Sequence, residues 1–226
     1  MSDLTYRLIR DIGYHAFWVS SSPVWLHRER VPRRGPVILA PTHLSPFDVP
    51  CIMASLWRPL DFMSVAEFLK KPWVARFFRA MNCLFLDRGR IDPATMREAV
   101  RRLQRGRALV MFPEGRIREW KDSVVHGHPF KPGVARIAQM TGTPVIPCVV
   151  LGTDAYMKSS SWLPLQKTKY GINYGQPLTA RKDLPPEESQ AELTARLAAA
   201  YVDLYRELRQ KMPPGTVPPD PATATP

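Results

Sequence analysis

Short apolar runs, each ending in a polar loop and separated by helical patterns, constrain this chain more than any other feature. Residues 36–41, 62–65, 83–86, 108–112 and 145–151 read as strands, with 170–174 as one more. Between them, residues 47–56, 67–81, 93–105 and 133–140 carry apolar positions at helical spacing, and Pro93 suits a first-turn position. Residues 187–211 form a long helix with alanines and leucines on one side. This βα alternation predicts the α/β class: a single layered domain with a mainly parallel or mixed sheet flanked by helices. A length of 226 residues, 45% of them hydrophobic, is enough for one such core.

The segment before the first strand differs. Leu4, Leu8 and Ile12, then Phe17, Trp18 and Val19, recur near helical spacing over residues 4–20. Residues 12–26 contain no Lys, Arg, Asp or Glu, but the run falls short of the about 18 apolar residues that a spanning helix needs. Tyr14, Trp18 and Trp25 with nearby arginines resemble an interfacial anchor, in which rings sit at headgroup level and arginines meet lipid phosphates. The same pattern also fits a helix packed on the protein's own core. A secretory signal fits less well, because acidic residues occupy the would-be n-region. The expected organisation is an N-terminal amphipathic membrane-interface segment over 1–34, a main domain over 35–212, and a disordered Pro-rich tail over 213–226.

Lys and Arg outnumber Asp and Glu by 32 to 20, a net charge of +12. That balance suits nucleic acid, an anionic membrane or a phosphorylated substrate. The chain carries no recognisable nucleic-acid reading motif, and its arginines cluster at strand ends, so no nucleic-acid partner is expected. Cys51, Cys83 and Cys148 are scattered, without metal-ligand spacing, so neither a metal site nor a disulfide framework is expected. A reducing compartment fits best.

Strand ends in α/β sheets are where ligands usually sit, and three of them carry chemistry. In Ala40-Pro41-Thr42-His43-Leu44-Ser45-Pro46-Phe47-Asp48, Ser45 is placed to cap the next helix, Pro46 to occupy its first position and Asp48 to fall in its first turn. A chain turning back there brings the Asp48 carboxylate onto one imidazole nitrogen of His43, leaving the other to take a proton from a hydroxyl. The same residues also fit a capping box with a purely structural histidine. In Phe112-Pro113-Glu114-Gly115-Arg116-Ile117-Arg118, Gly115 permits close approach to a ligand. Arg116 and Arg118 are available to grip a phosphate, and Glu114 to orient them or bind a polar head. Leu86-Asp87-Arg88-Gly89-Arg90 puts two more cations at a strand end. The run Thr143-Pro144-Val145-Ile146-Pro147 reads mostly as core.

The order of these blocks is more specific than any one of them. His-x4-Asp, Leu-Asp-Arg-Gly, Phe-Pro-Glu-Gly and Val-Ile-Pro, with Phe130-Lys131-Pro132-Gly133 after the third, resemble the glycerolipid acyltransferases typified by bacterial lysophosphatidate acyltransferases. The resemblance covers residues 36–178. It implies that His43 is general base and Asp48 its partner. Arg88, Glu114, Gly115 and Arg116 or Arg118 would hold the acceptor's phosphate and polar head. It also implies an acyl thioester donor, on coenzyme A or acyl carrier protein, with no metal or other cofactor. The family continues Phe-Pro-Glu-Gly with Thr-Arg-Ser. Here Arg116-Ile117-Arg118 puts an arginine on either side of the family's position, so either could face the acceptor. The expected partners are a phospholipid membrane surface and a lysolipid, with the protein bound peripherally at the cytoplasmic face. A hydrolase using the same pair with water, and a non-catalytic lipid-binding protein, remain open at this point.

Overall fold

Alternate residues of a buried strand face opposite sides of its sheet, and here both sides are apolar. The computed structural model describes residues 3–65, 71–86, 93–162 and 167–217. In chain order the elements are α1 (Leu4–Ser20), β1 (Ser21–Leu26), β2 (Val37–Pro41), α2 (Asp48–Ser55), β3 (Leu60–Val65), α3 (Pro72–Ala80) and β4 (Leu84–Leu86). They continue with α4 (Pro93–Gln104), β5 (Ala108–Val110), α5 (Gly133–Thr141), β6 (Val145–Leu151), β7 (Thr168–Tyr174) and α6 (Pro186–Lys211).

The strands form one seven-stranded sheet in the order β1-β7-β6-β2-β5-β3-β4. Strands β4, β3, β5, β2 and β6 are parallel to one another. Strand β7 runs antiparallel to β6, and β1 runs parallel to β7. On one face Ile38, Ala40, Leu109, Val145 and Val149 pack with residues of α4, α5 and α6. On the other, Val37, Leu39, Val110, Ile146 and Cys148 pack with Tyr6 of α1 and with Cys51 and Ile52 of α2. In α6, Leu193, Leu197, Tyr201, Leu204 and Leu208 are buried at helical spacing, and the Tyr201 hydroxyl donates to the Ala40 carbonyl across 2.7 Å. Covering both faces is what allows the parallel strands to be continuous apolar runs. The carboxyl ends of β5, β2 and β6 lie side by side at one edge, and the loops leaving them build the site.

The N-terminal segment departs from expectation. Residues 21–26 form the edge strand β1, so this part of the first 34 residues belongs to the same sheet as the main domain. Trp25 packs against the core, with the Arg28 guanidinium 5.2 Å from its ring centroid. Pro23 is tolerated because β1 is an edge strand, where a missing N–H costs little. Helix α1 is two-sided. Tyr6 is buried and Ile9 packs inward, while Leu4, Leu8, Ile12, Trp18 and Val19 are exposed. Its start is tied down by Asp3, which accepts from Arg107 and from the Asn82 side chain, both at 2.9 Å. Helix α2 begins at Asp48, so Pro46 lies before the helix and not in its first position; Ser45 Oγ instead accepts the Phe47 N–H across 3.1 Å. Residues 66–70, including the start of the expected helix over 67–81, and most of the tail from residue 218 lie outside the described residues.

Candidate active site

His43 follows β2 by two residues, and Thr42 fixes that exit. Its Oγ1 accepts the Val150 N–H of neighbouring β6 across 2.9 Å. The imidazole is partly exposed, at 17%, while the Asp48 side chain is fully buried. Nδ1 of His43 lies 3.0 Å from Asp48 Oδ2. The same oxygen accepts the backbone N–H groups of Leu44 at 2.8 Å and Ser45 at 2.9 Å. Oδ1 accepts the Thr153 hydroxyl. Four donors therefore surround one carboxylate, and among the described residues no Lys or Arg pairs with it. This arrangement selects the tautomer with the proton on Nδ1 and leaves Nε2 as the ring nitrogen turned away from Asp48. The His43 ring stacks on Phe112, with centroids 4.0 Å apart.

The second block holds the histidine backbone from both sides. Glu114 Oε2 accepts the His43 N–H across 2.6 Å, and the Arg118 N–H donates to the His43 carbonyl across 2.8 Å. Glu114 Oε1 accepts the Ser123 hydroxyl at 2.9 Å and the Val124 N–H at 3.0 Å. The carboxylate expected to orient arginines or meet a polar head is thus buried and engaged by three donors of the chain itself. Burial raises its pKa above the ordinary carboxylate value, although those hydrogen bonds oppose the rise.

Gly115 has φ +69°, and a side chain there would meet Lys131, whose Cε lies 2.9 Å from the place of a Cβ. Lys131 is anchored by its N–H to the Pro113 carbonyl, 3.0 Å away, so the 130–133 block lays a cation across the 112–118 turn. Arg116 is exposed. Arg118 is half-buried, and its Nε is buried with no hydrogen-bond partner among the described residues. Arg88 lies outside the described residues.

Four backbone N–H groups of the His43 and Gly115 turns, natural candidates to meet an oxyanion, are engaged within the chain. His43 donates to Glu114, Leu44 and Ser45 to Asp48, and Gly115 to the Phe112 carbonyl at 3.0 Å. The cysteines are kept as thiols: burial pushes Cys51 and Cys148 well above the usual value and Cys83 up to about 12, which removes the thiolate that nucleophilic catalysis needs. Thr153 and Ser123 were not picked out from the sequence. Thr153 stands two residues beyond an apolar strand, the same pattern that marked His43. Ser123 carries no such signal.

The sequence model of the Acyltransferase family matches residues 24–151, more than half of the chain. The chain belongs to the acyltransferase family. It is 27% identical over 188 residues to the 1-acyl-sn-glycerol-3-phosphate acyltransferase of Bacillus subtilis (strain 168), covering 81% of this chain and 88% of that one. It is 26% identical over 156 residues to the protein of the same name from Borreliella burgdorferi, covering 68% of this chain and 61% of the relative. The crystal structure of the 1-acyl-sn-glycerophosphate (LPA) acyltransferase from Thermotoga maritima shares the fold, with a TM-score of 0.66 and 26% identity over 87% of this chain and 78% of that one. The mixed sheet flanked by helices is therefore a fold that this acyltransferase chain shares with a solved relative.

Proposed function

We propose that this acyltransferase moves a fatty acyl group from an acyl thioester, carried on coenzyme A or acyl carrier protein, to the hydroxyl of a lysophospholipid such as 1-acyl-glycerol-3-phosphate. His43 is the general base and Asp48 its partner. The observation that carries this reading is the Asp48 carboxylate, buried and bonded to His43 Nδ1, with neutral donors on its remaining positions. Its charge is left to stabilise an imidazolium.

In the reaction, Nε2 takes the proton of the acceptor hydroxyl as its oxygen attacks the thioester carbonyl. The C–O bond forms, the tetrahedral intermediate collapses, and the C–S bond breaks. The thiolate leaves and takes back the proton from the imidazolium. No covalent acyl-enzyme is needed, in keeping with three protonated thiols. Glu114 is a positioning residue that holds the His43 backbone. Arg118 and Lys131 supply positive charge beside His43 for the acceptor's phosphate. Arg118 is preferred to Arg116 because its backbone is bonded to His43 and its Nε is buried and unpartnered. The reaction takes place at a phospholipid surface on the cytoplasmic side, met by the exposed apolar side of α1. Among the described residues, no helix is long and apolar enough to cross a membrane.

The test is mass-spectrometric detection of products from vesicle-borne lysolipids with either donor. Wild type forms the diacyl product, and His43→Ala loses roughly 10²–10⁴-fold in rate with its circular dichroism retained. Release of free fatty acid without acceptor-dependent product, or unaltered transfer by the variant, would overturn the reading.

A further inference from the structure

The amino ends of the parallel strands carry a second feature that the reaction does not use. Between the start of α1, the β1–β2 connection and the α2–β3 connection lies an open cavity of about 740 Å³. Five arginines line it: Arg7, Arg28, Arg33, Arg34 and Arg58. The single carboxylate in the lining, Glu29, stands 3.5 Å from His27.

The cavity is built on a fixed floor. Arg58 donates to the carbonyls of Pro32 at 2.6 Å, Gly35 at 2.8 Å and Gly106 at 3.1 Å. Those bonds lock its guanidinium in place, among the described residues no carboxylate pairs with it directly, and burial lowers its pKa. Arg33 and Arg34 are exposed on the rim. Trp57, 65% exposed, completes the wall. It packs against Tyr14 of α1, with ring centroids 5.8 Å apart, and its carbonyl accepts from Arg10 across 2.7 Å. A cluster of guanidinium groups with one carboxylate suits a phosphate.

The position of the cavity, beside α1, favours a lipid as the source of that phosphate. On α1, Arg7, Tyr14 and Trp18 fall along one flank at helical spacing, beside the exposed stripe Leu4, Leu8, Ile12 and Val19. Arg7 belongs both to that flank and to the cavity lining, so the stripe and the cavity are neighbours. Tryptophan beside arginine at the edge of an exposed apolar stripe is the composition of a bilayer interface. Helix α1 begins at the amino ends of the strands, where Asp3 meets Arg107, and it finishes at Ser20, beside the start of β1 and β7 at the carboxyl edge that holds His43. Its 17 residues span roughly 25 Å.

We propose that this arginine cavity binds the phosphate headgroup of an anionic phospholipid that is not a substrate, pinning the α1 amino end to the bilayer so that the helix lies along the surface. The proposal rests on the membrane-surface reading above, and the acyl-transfer chemistry does not depend on it.

The experiment is flotation of the full-length chain with phosphatidylcholine vesicles, with and without phosphatidylglycerol, and no reactants present. Wild type partitions more strongly onto the anionic vesicles. Arg33→Gln/Arg34→Gln lowers partition onto anionic vesicles by roughly thirtyfold and leaves neutral-vesicle binding unchanged. The control pair Arg206→Gln/Lys211→Gln, on α6 across the sheet, changes partition much less. An equal loss in the control pair overturns the cavity in favour of diffuse surface charge. Wild-type partition indifferent to phosphatidylglycerol overturns the cavity alone, whereas binding to neither vesicle removes the membrane-surface reading as well. If the Arg33/Arg34 variant floats like wild type but shows a raised KM for a coenzyme A thioester, the cavity serves the donor's phosphates and the lipid assignment is overturned.

Discussion

Two buried aspartates, at opposite ends of one sheet, are given different tasks by their partners. Asp61, in β3 near the amino ends, is fully buried and meets two guanidinium groups. Arg102 lies at 3.1 Å, and Arg107 meets both oxygens at 2.6 and 2.5 Å. Arg107 continues to Asp3 and so ties α1 to the sheet; its bonds to the Asp61 carboxylate hold its pKa well above the ordinary arginine value. Asp48, near the carboxyl ends, is equally buried but meets two backbone N–H groups, a hydroxyl and an imidazole. Permanent cations neutralise Asp61 and leave it inert. Neutral donors hold Asp48 in place without cancelling its charge, and on the proposed mechanism that charge stabilises a proton on His43. The difference teaches that burial of a carboxylate does not mark a site; the chemistry of its donors does.

Breaking the site end gives the largest expected effect. Asp48→Asn is expected to lower the acyl-transfer rate by roughly 10³-fold or more, because the amide cannot stabilise an imidazolium. The check is steady-state kinetics, with circular dichroism to establish that the fold survives. Asp61→Asn attacks the other end and is expected to do the reverse. It leaves buried guanidinium groups without their counter-charge and costs about 3–5 kcal/mol in urea unfolding, with near-normal kcat in whatever fraction stays folded.

Some of this contrast was legible in the sequence, and some was not. His43 and Asp48 stand five residues apart around one turn, so local geometry brings them together. The strands 36–41 and 145–151 were legible because both faces are buried and the runs are uniformly apolar. Strand β3 starts at Leu60, two residues before the apolar run from Phe62; in the sequence Asp61 looks like a break, because its partners Arg102 and Arg107 arrive from about 40 residues away in the chain. Strand β1 was hidden because Ser21-Ser22-Pro23 has no strand signature and its partner β7 lies far along the chain. The place of Glu114 was legible and its bonding was not, because a carboxylate at a strand end looks the same whether it meets a ligand or a backbone amide.

Smaller effects sharpen the contrast. Glu114→Gln turns an amide group toward either the His43 N–H or the Ser123 and Val124 donors, and is expected to cost about 1–3 kcal/mol. Its pH dependence has a definite sign. The carboxyl of Glu114 is raised in the folded protein by burial, so the stability it contributes is complete below the unfolded carboxylate pKa and declines as pH rises through the folded value. Urea unfolding of wild type minus variant across the acid range is expected to show that decline, and a difference independent of pH contradicts it. Thr153→Val removes one neutral donor from Asp48 and has the smallest effect, roughly tenfold in kcat with KM little changed. A pure KM effect would place Thr153 in substrate binding instead.

The most direct measurement of the central claim is a double-mutant cycle on acyl transfer with His43→Ala, Asp48→Asn and the pair combined. If Asp48 works by stabilising a proton on His43, the double variant is no slower than His43→Ala alone, because Asp48 has nothing left to act on. Losses that multiply, with the double variant slower by the product of the single effects, would mean that the two residues act independently and would contradict the account.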